Sequence, residues 1–433
     1  MNIRRSVAAL SLCAALGAAA APAAVADDGQ AGRAEGLYGA KDPKFDGVWR
    51  QSLALLAQDA VGVTPAKSAV DWLAGQGCAD GGFAAYRADT SKACDPKKGE
   101  FTDATAAAVQ ALAAVGGRSG TVEKGIGWLK RHQNADGGWG MNPGGPSDAN
   151  STAAAIGAFA ATGQDPAKVT SAAGKGAAGK GAAGKGGKTP YDALLVLQLD
   201  CSAKAEERGA FAYTAAKGEP VANELATASA ALAAQGKGFV FETVGKDSGA
   251  EPKPLRCEKG KDGADAPKDA AEAALAHLTR VMSDTDMHLK SAMPGAKDQP
   301  DFGGTADAVV ALAAGEHSAA AGKPLQWLQS KDSGAAAWAK GDPGALAKLI
   351  LAAHAAGADP RDFGGADLVQ QLNATGPKPE AAAPGAESDG NSESEEKKDD
   401  GGGVGGVWWT VGVCAVAGMG IGFLLSGRKR RQL

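Results

Sequence analysis

The sequence predicts an all-α fold, a closed barrel of about six helical hairpins arranged as inner and outer rings. Three observations predict it. The chain has 433 residues, of which 98 are Ala and only 22 aromatic. Ala is the strongest helix former, and so small a side chain requires helix backbones to pack closely. This usage argues against a β-sandwich, which wants β-branched and aromatic residues. A Trp-Leu unit recurs with a fixed spacing to a Gly-rich turn. A second, Ala-rich unit alternates with it.

The N-terminus comes first. Arg4 and Arg5 precede an apolar run from Val7 to Ala21, and Ala24-Val25-Ala26 is an A-x-A cleavage site. Residues 1–26 therefore read as a signal peptide, followed by an N-terminal segment over 27–42. The repetitive body spans 43–376. It opens with a helix over 46–60 carrying Trp49, Leu53 and Leu56. Amphipathic outer helices are expected near 66–76, 121–133, 189–199, 268–283, 323–331 and 364–373.

The first unit reads Trp72-Leu73…Asp80-Gly81-Gly82-Phe83 and Trp128-Leu129…Asp136-Gly137-Gly138-Trp139. Trp327-Leu328…Trp338 keeps the spacing without Asp-Gly-Gly. In such a turn Gly supplies positive φ, Asp bonds the backbone, and the aromatic folds back on the helix. The second unit ends in Leu112-Ala113-Ala114-Val115-Gly116, Phe159-Ala160-Ala161-Thr162-Gly163 and Leu232-Ala233-Ala234-Gln235-Gly236. Leu312-Ala313-Ala314-Gly315 and Leu351-Ala352-Ala353 are further copies. Counting back from these ends reaches Asp103, Asn150, Asn223, Thr105, Thr152 and Thr305, all of N-cap type. Each copy thus predicts an inner helix of roughly 13 residues with a capped start. Five inner helices, six outer ones and the opening helix make about twelve.

Two insertions interrupt the body, near 172–188 and 239–268. The first holds three copies of Ala-Ala-Gly-Lys-Gly with Lys175, Lys180, Lys185 and Lys188; both read as flexible. Gly187-Lys188-Thr189 lacks the preceding glycine and strand of a phosphate loop. Residues 377–403 are Pro-, Ser- and acid-rich and read as a disordered stalk. Val404–Leu425 is an uncharged run of 22 residues, long enough for a single transmembrane helix. Trp408 and Trp409 sit near its outer end, and a basic tail over 426–433 with Arg428, Lys429, Arg430 and Arg431 follows inside. The expected location is the cell membrane, single-pass, with the body extracellular.

Four cysteines remain in the exported part, and the pairs Cys78–Cys94 and Cys201–Cys257 each flank a loop between predicted helices. No C-x-x-C points to a metal site. The net charge of −4 argues against a nucleic-acid partner.

Gln133-Asn134-Ala135-Asp136-Gly137-Gly138-Trp139-Gly140 resembles the QW-type repeat of the squalene-cyclase and protein-prenyltransferase superfamily, and Gln76…Asp80-Gly81-Gly82-Phe83 is a weaker copy. The resemblance implies an α/α toroid, the fold shared by secreted cobalamin carriers and complement thioester domains. It also implies what catalytic members need. Class II cyclases use Asp-x-Asp-Asp, where this chain has only Asp284-Thr285-Asp286-Met287. Class I enzymes use Asp-Asp-x-x-Asp, and here Asp27-Asp28 and Asp399-Asp400 lie outside the body. Protein prenyltransferases use an Asp/Cys/His zinc site, for which the five His have no Cys at suitable spacing. No Cys-Gly-Glu-Gln thioester or Gly-x-Ser-x-Gly elbow occurs. His132, at an outer-helix end, reads as a surface or capping residue.

The expectation is therefore a surface-anchored, non-catalytic binding protein without a cofactor. Asp103, Thr105, Asn150, Thr152, Asn223 and Thr305 would ring the mouth formed by the inner-helix N-termini. The resemblance makes a cobalamin-like, bulky polar molecule the named candidate, passed to an importer or other envelope partner. The alternatives are a terpenoid-cyclase or prenyltransferase-like enzyme and a structural or adhesion protein of the envelope.

Overall fold

The computed structural model describes residues 35–95, 99–172, 187–215, 220–241, 249–258, 263–292 and 298–381. The expected signal peptide, most of the stalk, the transmembrane helix, the basic tail and Lys175, Lys180 and Lys185 lie outside the described residues. The chain divides into two units, 1–382 and 383–433, and all described residues belong to the first. Among the described residues no helix is long and apolar enough to cross a membrane.

The fold is all-α, with thirteen α-helices and one two-residue strand pair among the described residues. Six helices pack in a cycle: α1 (Gly47–Ala60), α3 (Thr102–Val115), α5 (Ala149–Ala161), α7 (Glu224–Ala234), α9 (Phe302–Ala314) and α12 (Pro343–Ala355). Each packs on the next, and α12 returns to α1. Ala-rich sequence explains the cycle. Helix α3 buries every residue from Ala104 to Leu112, so it has neighbours on all sides. Such a helix is stable only when several partners cover it.

Six further helices sit on this ring: α2 (Lys67–Gly75), α4 (Ser119–Arg131), α6 (Pro190–Leu197), α8 (Pro267–Ser283), α10 (Ser318–Gln329) and α13 (Leu368–Ala374). They match the expected outer helices and bury one stripe each; α4 buries Gly125, Ile126, Trp128 and Leu129. The thirteenth, α11 (Ala335–Ala339), was not expected. It stands where the Asp-Gly-Gly turn is missing. Its Trp338 is 40% exposed and meets the Phe302 ring at a tilt, whereas Phe83 and Trp139 are fully buried.

The turns fasten the two layers. Gly82 N donates to Asp80 Oδ1 (3.2 Å) and Gly138 N to Asp136 Oδ1 (3.0 Å). Gly81 and Gly137 have φ of +104° and +93°. The turn then hands its next backbone N–H to a ring helix. Phe83 N donates to Thr105 Oγ1 (2.9 Å), Trp139 N to Thr152 (3.1 Å), Phe211 N to Thr227 (2.9 Å) and Leu289 N to Thr305 (2.9 Å). In α1 the side-chain oxygen of Gln51 takes the same role for Tyr38 N, 2.9 Å away. Tyr38 precedes the ring in sequence, and Gly39 N donates to Thr375 O after α13 (2.8 Å). The two ends of the body close the cycle there.

Two expectations are corrected. Of the residues read as N-caps, Asn223 is one: its side chain accepts from Ala226 N (2.8 Å). Asp103 and Asn150 instead lie at the second helical position of α3 and α5, whose N-caps are Phe101 and Asp148. Thr105, Thr152 and Thr305 lie at the fourth position, buried as turn latches. The second correction concerns the insertion at 239–268, whose described parts are built into the body. Phe239 packs on the ring, Cys257 is disulfide-bonded to Cys201, and Ala250 O bonds His317 Nδ1 (2.7 Å). Cys78–Cys94 is the other disulfide, as the sequence suggested.

Candidate functional site

The ring encloses a cavity of about 300 Å³, and all six ring helices line it. Parallel packing puts their N-terminal ends on one rim. Thr102 N donates to Met141 O (3.0 Å), and Ala149 N to Tyr213 O (2.9 Å), joining the starts of α3, α5 and α7. Lys41, ahead of α1, pairs with Asp342 at the start of α12 (2.6 Å). At the other end, Nε2 of Gln235, the C-cap of α7, donates to Ala311 O on α9 (3.2 Å).

The segment Lys237-Gly238-Phe239 leaves α7 at that second end and turns inward. Phe239 N donates to Gln110 Oε1 on α3 (3.0 Å), and its ring meets Trp49 of α1 edge-on with centroids 5.7 Å apart. Gly238 lies against Gln110 and Gly157; a Cβ there would stand 3.1 Å from Gly157 O. Lys237 Nζ donates to Ala314 O (2.7 Å) and sits 4.9 Å from the Phe241 ring centre. Burial pushes its ammonium below the usual lysine range.

Polar groups stand on two walls. On one, α3 and α5 present Asp103 and Asn150. Asp103 Oδ1 accepts from Ala104 N (2.8 Å), and among the described residues no salt bridge reaches it. Burial, with a smaller push from the Asp148 charge, raises its carboxyl above the ordinary range. Asn150 Oδ1 is buried with no hydrogen-bond partner among the described residues. On the other wall, Asp307 of α9 and Lys348 of α12 form a half-buried ion pair of 2.5 Å. Burial raises Asp307 as well, against the pull of Lys348. Trp49, Leu53, Leu232 and Val310 supply apolar surface between the walls.

The rim is acidic. Each ring helix carries one carboxylate at its N-cap or first position turn: Asp46, Asp103, Asp148, Glu224, Asp301 and Asp342. Arg50 pairs with Asp46 (3.1 Å) and Lys41 with Asp342. Tyr213, 42% exposed, lies close enough to Asp148 and Asp103 that burial and their charge both raise its phenol.

Of the expected site residues, the structure brings Asp103 and Asn150 into the cavity wall. Asn223 caps α7, and Thr105, Thr152 and Thr305 hold turns; none of these four is part of the lining. Sequence reasoning missed Asp307, Lys348, Trp49 and the 237–239 segment. Asp307 and Lys348 each interrupt an Ala/Leu/Val run on a ring helix, and that was the available signal. Thr227 was missed because α7 is two residues shorter than its siblings between that Thr and its Leu-Ala-Ala end.

Asp284 and Asp286 lie at the far end of outer helix α8, where Asp284 pairs with Arg280 (3.3 Å) and its side chain is 68% exposed. His132 caps the end of α4, with Nδ1 2.9 Å from Trp128 O. Cys78, Cys94 and Glu100 converge, but the two sulfurs are bonded to each other and offer no thiolate.

No family model matches the chain, and no curated protein matches it. Among solved structures, one described as "Crystal structure of a protein from Actinoplanes" matches at 16% identity with a TM-score of 0.43. The match covers 75% of this chain and 95% of that one.

Proposed function

We propose that the body is an α/α toroid of the QW-repeat type and that its central cavity captures a polar small molecule without transforming it. The observation that carries this reading is the cavity itself. All six ring helices enclose it, and polar groups converge there from two walls over an apolar floor. That is the usual build of a small-molecule site. The remnant acids Asp284 and Asp286 sit at the exposed end of α8 and are not part of this cavity's lining.

The volume limits the ligand. About 300 Å³ is the space of roughly ten liquid waters. A whole corrinoid is larger, so a cobalamin-like molecule would insert a side arm and rest its ring on the rim. A compact polar molecule would enter whole. In the proposed setting a signal peptide and a C-terminal membrane helix display the toroid outside the cell, where an importer or other envelope protein receives the ligand. The Trp49–Phe239 pair is the feature that favours the enzyme alternative, since aromatic faces stabilise carbocations.

Native mass spectrometry of the exported full-length chain, incubated with corrinoids, polyprenyl lipids and small polar molecules, tests the reading. Retained, unmodified polar ligand is the expected result. A lipid that leaves with a changed mass would establish the enzyme, and no retained molecule would leave a protein-binding or structural role.

A further inference from the structure

We infer that the cavity recognises a cation, an ammonium or guanidinium on an aliphatic body, seated against Asp103 with Asn150 and Trp49. The inference rests on the reading of the cavity as a small-molecule site and names the chemistry it selects.

Charge bookkeeping within the cavity comes first. Four ionisable groups line it: Asp103, Lys237, Asp307 and Lys348. Asp307 and Lys348 neutralise each other at 2.5 Å. The Lys237 ammonium is held by Ala314 O and the Phe241 face. Among the described residues Asp103 has no basic partner, and its charged neighbour is Asp148, of the same sign. A carboxylate kept out of bulk water without a counter-charge attracts one.

Hydrogen bonding points the same way. Asn150 occupies the same second position on α5 that Asp103 occupies on α3, one helix over. Its buried Oδ1 lacks a donor among the described residues. The Asn150 amide, turned about its last bond, brings its carbonyl to a cation that the neighbouring Asp103 carboxylate holds by its N–H groups. Trp49, near the start of α1 on the other side of α3, adds an aromatic ring to the same lining. Aromatic faces attract cations by about 0.5–2 kcal/mol.

An anion is the rival, because parallel helix N-termini favour negative charge. The rim answers this. Asp103, Asp148, Glu224 and Asp301 stand at the starts of α3, α5, α7 and α9 without a Lys or Arg partner among the described residues. Four carboxylates carry twice the charge that helix ends of about +0.5 each offset. The approach to the cavity is thus negative, and cations are drawn to it.

Titration calorimetry on the full-length protein tests this with three five-carbon probes of equal length: 1,5-diaminopentane, 1,5-pentanediol and glutarate. The diamine is expected to bind saturably at one site and to outcompete the other two. Asp103→Asn, checked for folding by circular dichroism, is expected to weaken it at least tenfold. Asn150→Ala should weaken it severalfold, and Asp284→Asn, at the exposed end of α8 away from the cavity, less than twofold. Equal or tighter binding of the diol or glutarate overturns the cation inference and keeps the cavity as a small-molecule site. Affinity within twofold of wild type in folded Asp103→Asn also overturns it. Binding of none of the three probes overturns it, and loss of every ligand in the native mass spectra then removes the small-molecule reading too.

Discussion

The hydroxyl of Thr152 accepts the backbone N–H of Trp139 at 3.1 Å, so the turn that ends outer helix α4 is fastened to the first turn of ring helix α5. The same hydroxyl lies 3.3 Å from Trp139 O, and both residues are fully buried. Thr105, Thr227 and Thr305 repeat the latch. Thr152→Val keeps the shape and removes the acceptor. It leaves a buried N–H unpaired, which costs about 1–3 kcal/mol. Thr152→Ser should retain most of the stability. Urea midpoints of the three proteins check this; equal loss in the Ser and Val variants would assign the effect to packing instead.

Gly137 is the residue on which that turn pivots. Its φ is +93°, and a Cβ would run into the carbonyl of Thr189 at the N-cap of α6. Gly137→Ala therefore combines backbone strain with a collision against backbone. About 2 kcal/mol or more of destabilisation is expected. Gly163, with φ +69° and open space around its Cβ position, is the control. Gly163→Ala should cost less, about 1 kcal/mol from strain alone. Thermal melts that rank the two the other way would refute the packing argument.

The helices were legible because Ala/Leu periodicity and Gly-rich turns encode them locally. Phe83 and Trp139 announced their turns through Asp-Gly-Gly, whereas Phe211 and Leu289 do the same work after turns of different composition. The latch depends on a backbone N–H, which any residue supplies, so its partner identity is free to vary. Asp103 and Asn150 were found by counting back from helix ends, and their place in the cavity wall follows from the second helical position rather than from a cap. Asp307 and Lys348 were illegible as a pair. They are 41 residues apart and meet only because α9 and α12 are neighbours in the ring.

That pair makes its own prediction. Both side chains are less than a third exposed, at 26% and 23%. Lys348→Met leaves Asp307 half-buried without its partner, and a loss of about 1–3 kcal/mol is expected, between exposed and fully buried pairs. The double variant Asp307→Leu/Lys348→Met should recover much of it, because no charge is then stranded. A double-mutant cycle by urea unfolding measures the coupling; an additive result would mean that solvent already screens the pair.

The disulfides differ in the loops they close, with sequence separations of 16 for Cys78–Cys94 and 56 for Cys201–Cys257. Loop entropy gives about 3 kcal/mol for the first and about 4 kcal/mol for the second. Cys201→Ser/Cys257→Ser should therefore be the more destabilised double variant. It also frees the segment whose Ala250 O holds His317 and whose Lys253 N bonds Glu272. Chemical denaturation of the two variants under oxidising conditions compares them. The reverse order would place the enthalpy of the Cys78 turn above chain entropy.

Asp103 links stability to pH, and the sign follows from its environment. Burial raises its carboxyl above the ordinary 3.8 in the folded protein. Between that value and the raised one, the native state holds a proton that the unfolded chain has released. Folding is then favoured as pH falls through this window, and the contribution is lost as pH rises past the folded value. At pH 7 to 8 the ionised carboxylate is a net burden, even though an acid in the first turn of α3 gains from the helix dipole. Asp103→Asn removes the burden. The variant should be more stable than the parent near neutrality, and the difference should shrink as pH approaches the ordinary carboxylate range. Urea midpoints of both proteins from pH 8 down to 4.5 give the comparison. A gap that stays constant with pH would mean that Asp103 is solvated well enough to titrate normally. Saturating diamine should narrow the gap at neutral pH, because the bound cation compensates the Asp103 carboxylate of the parent.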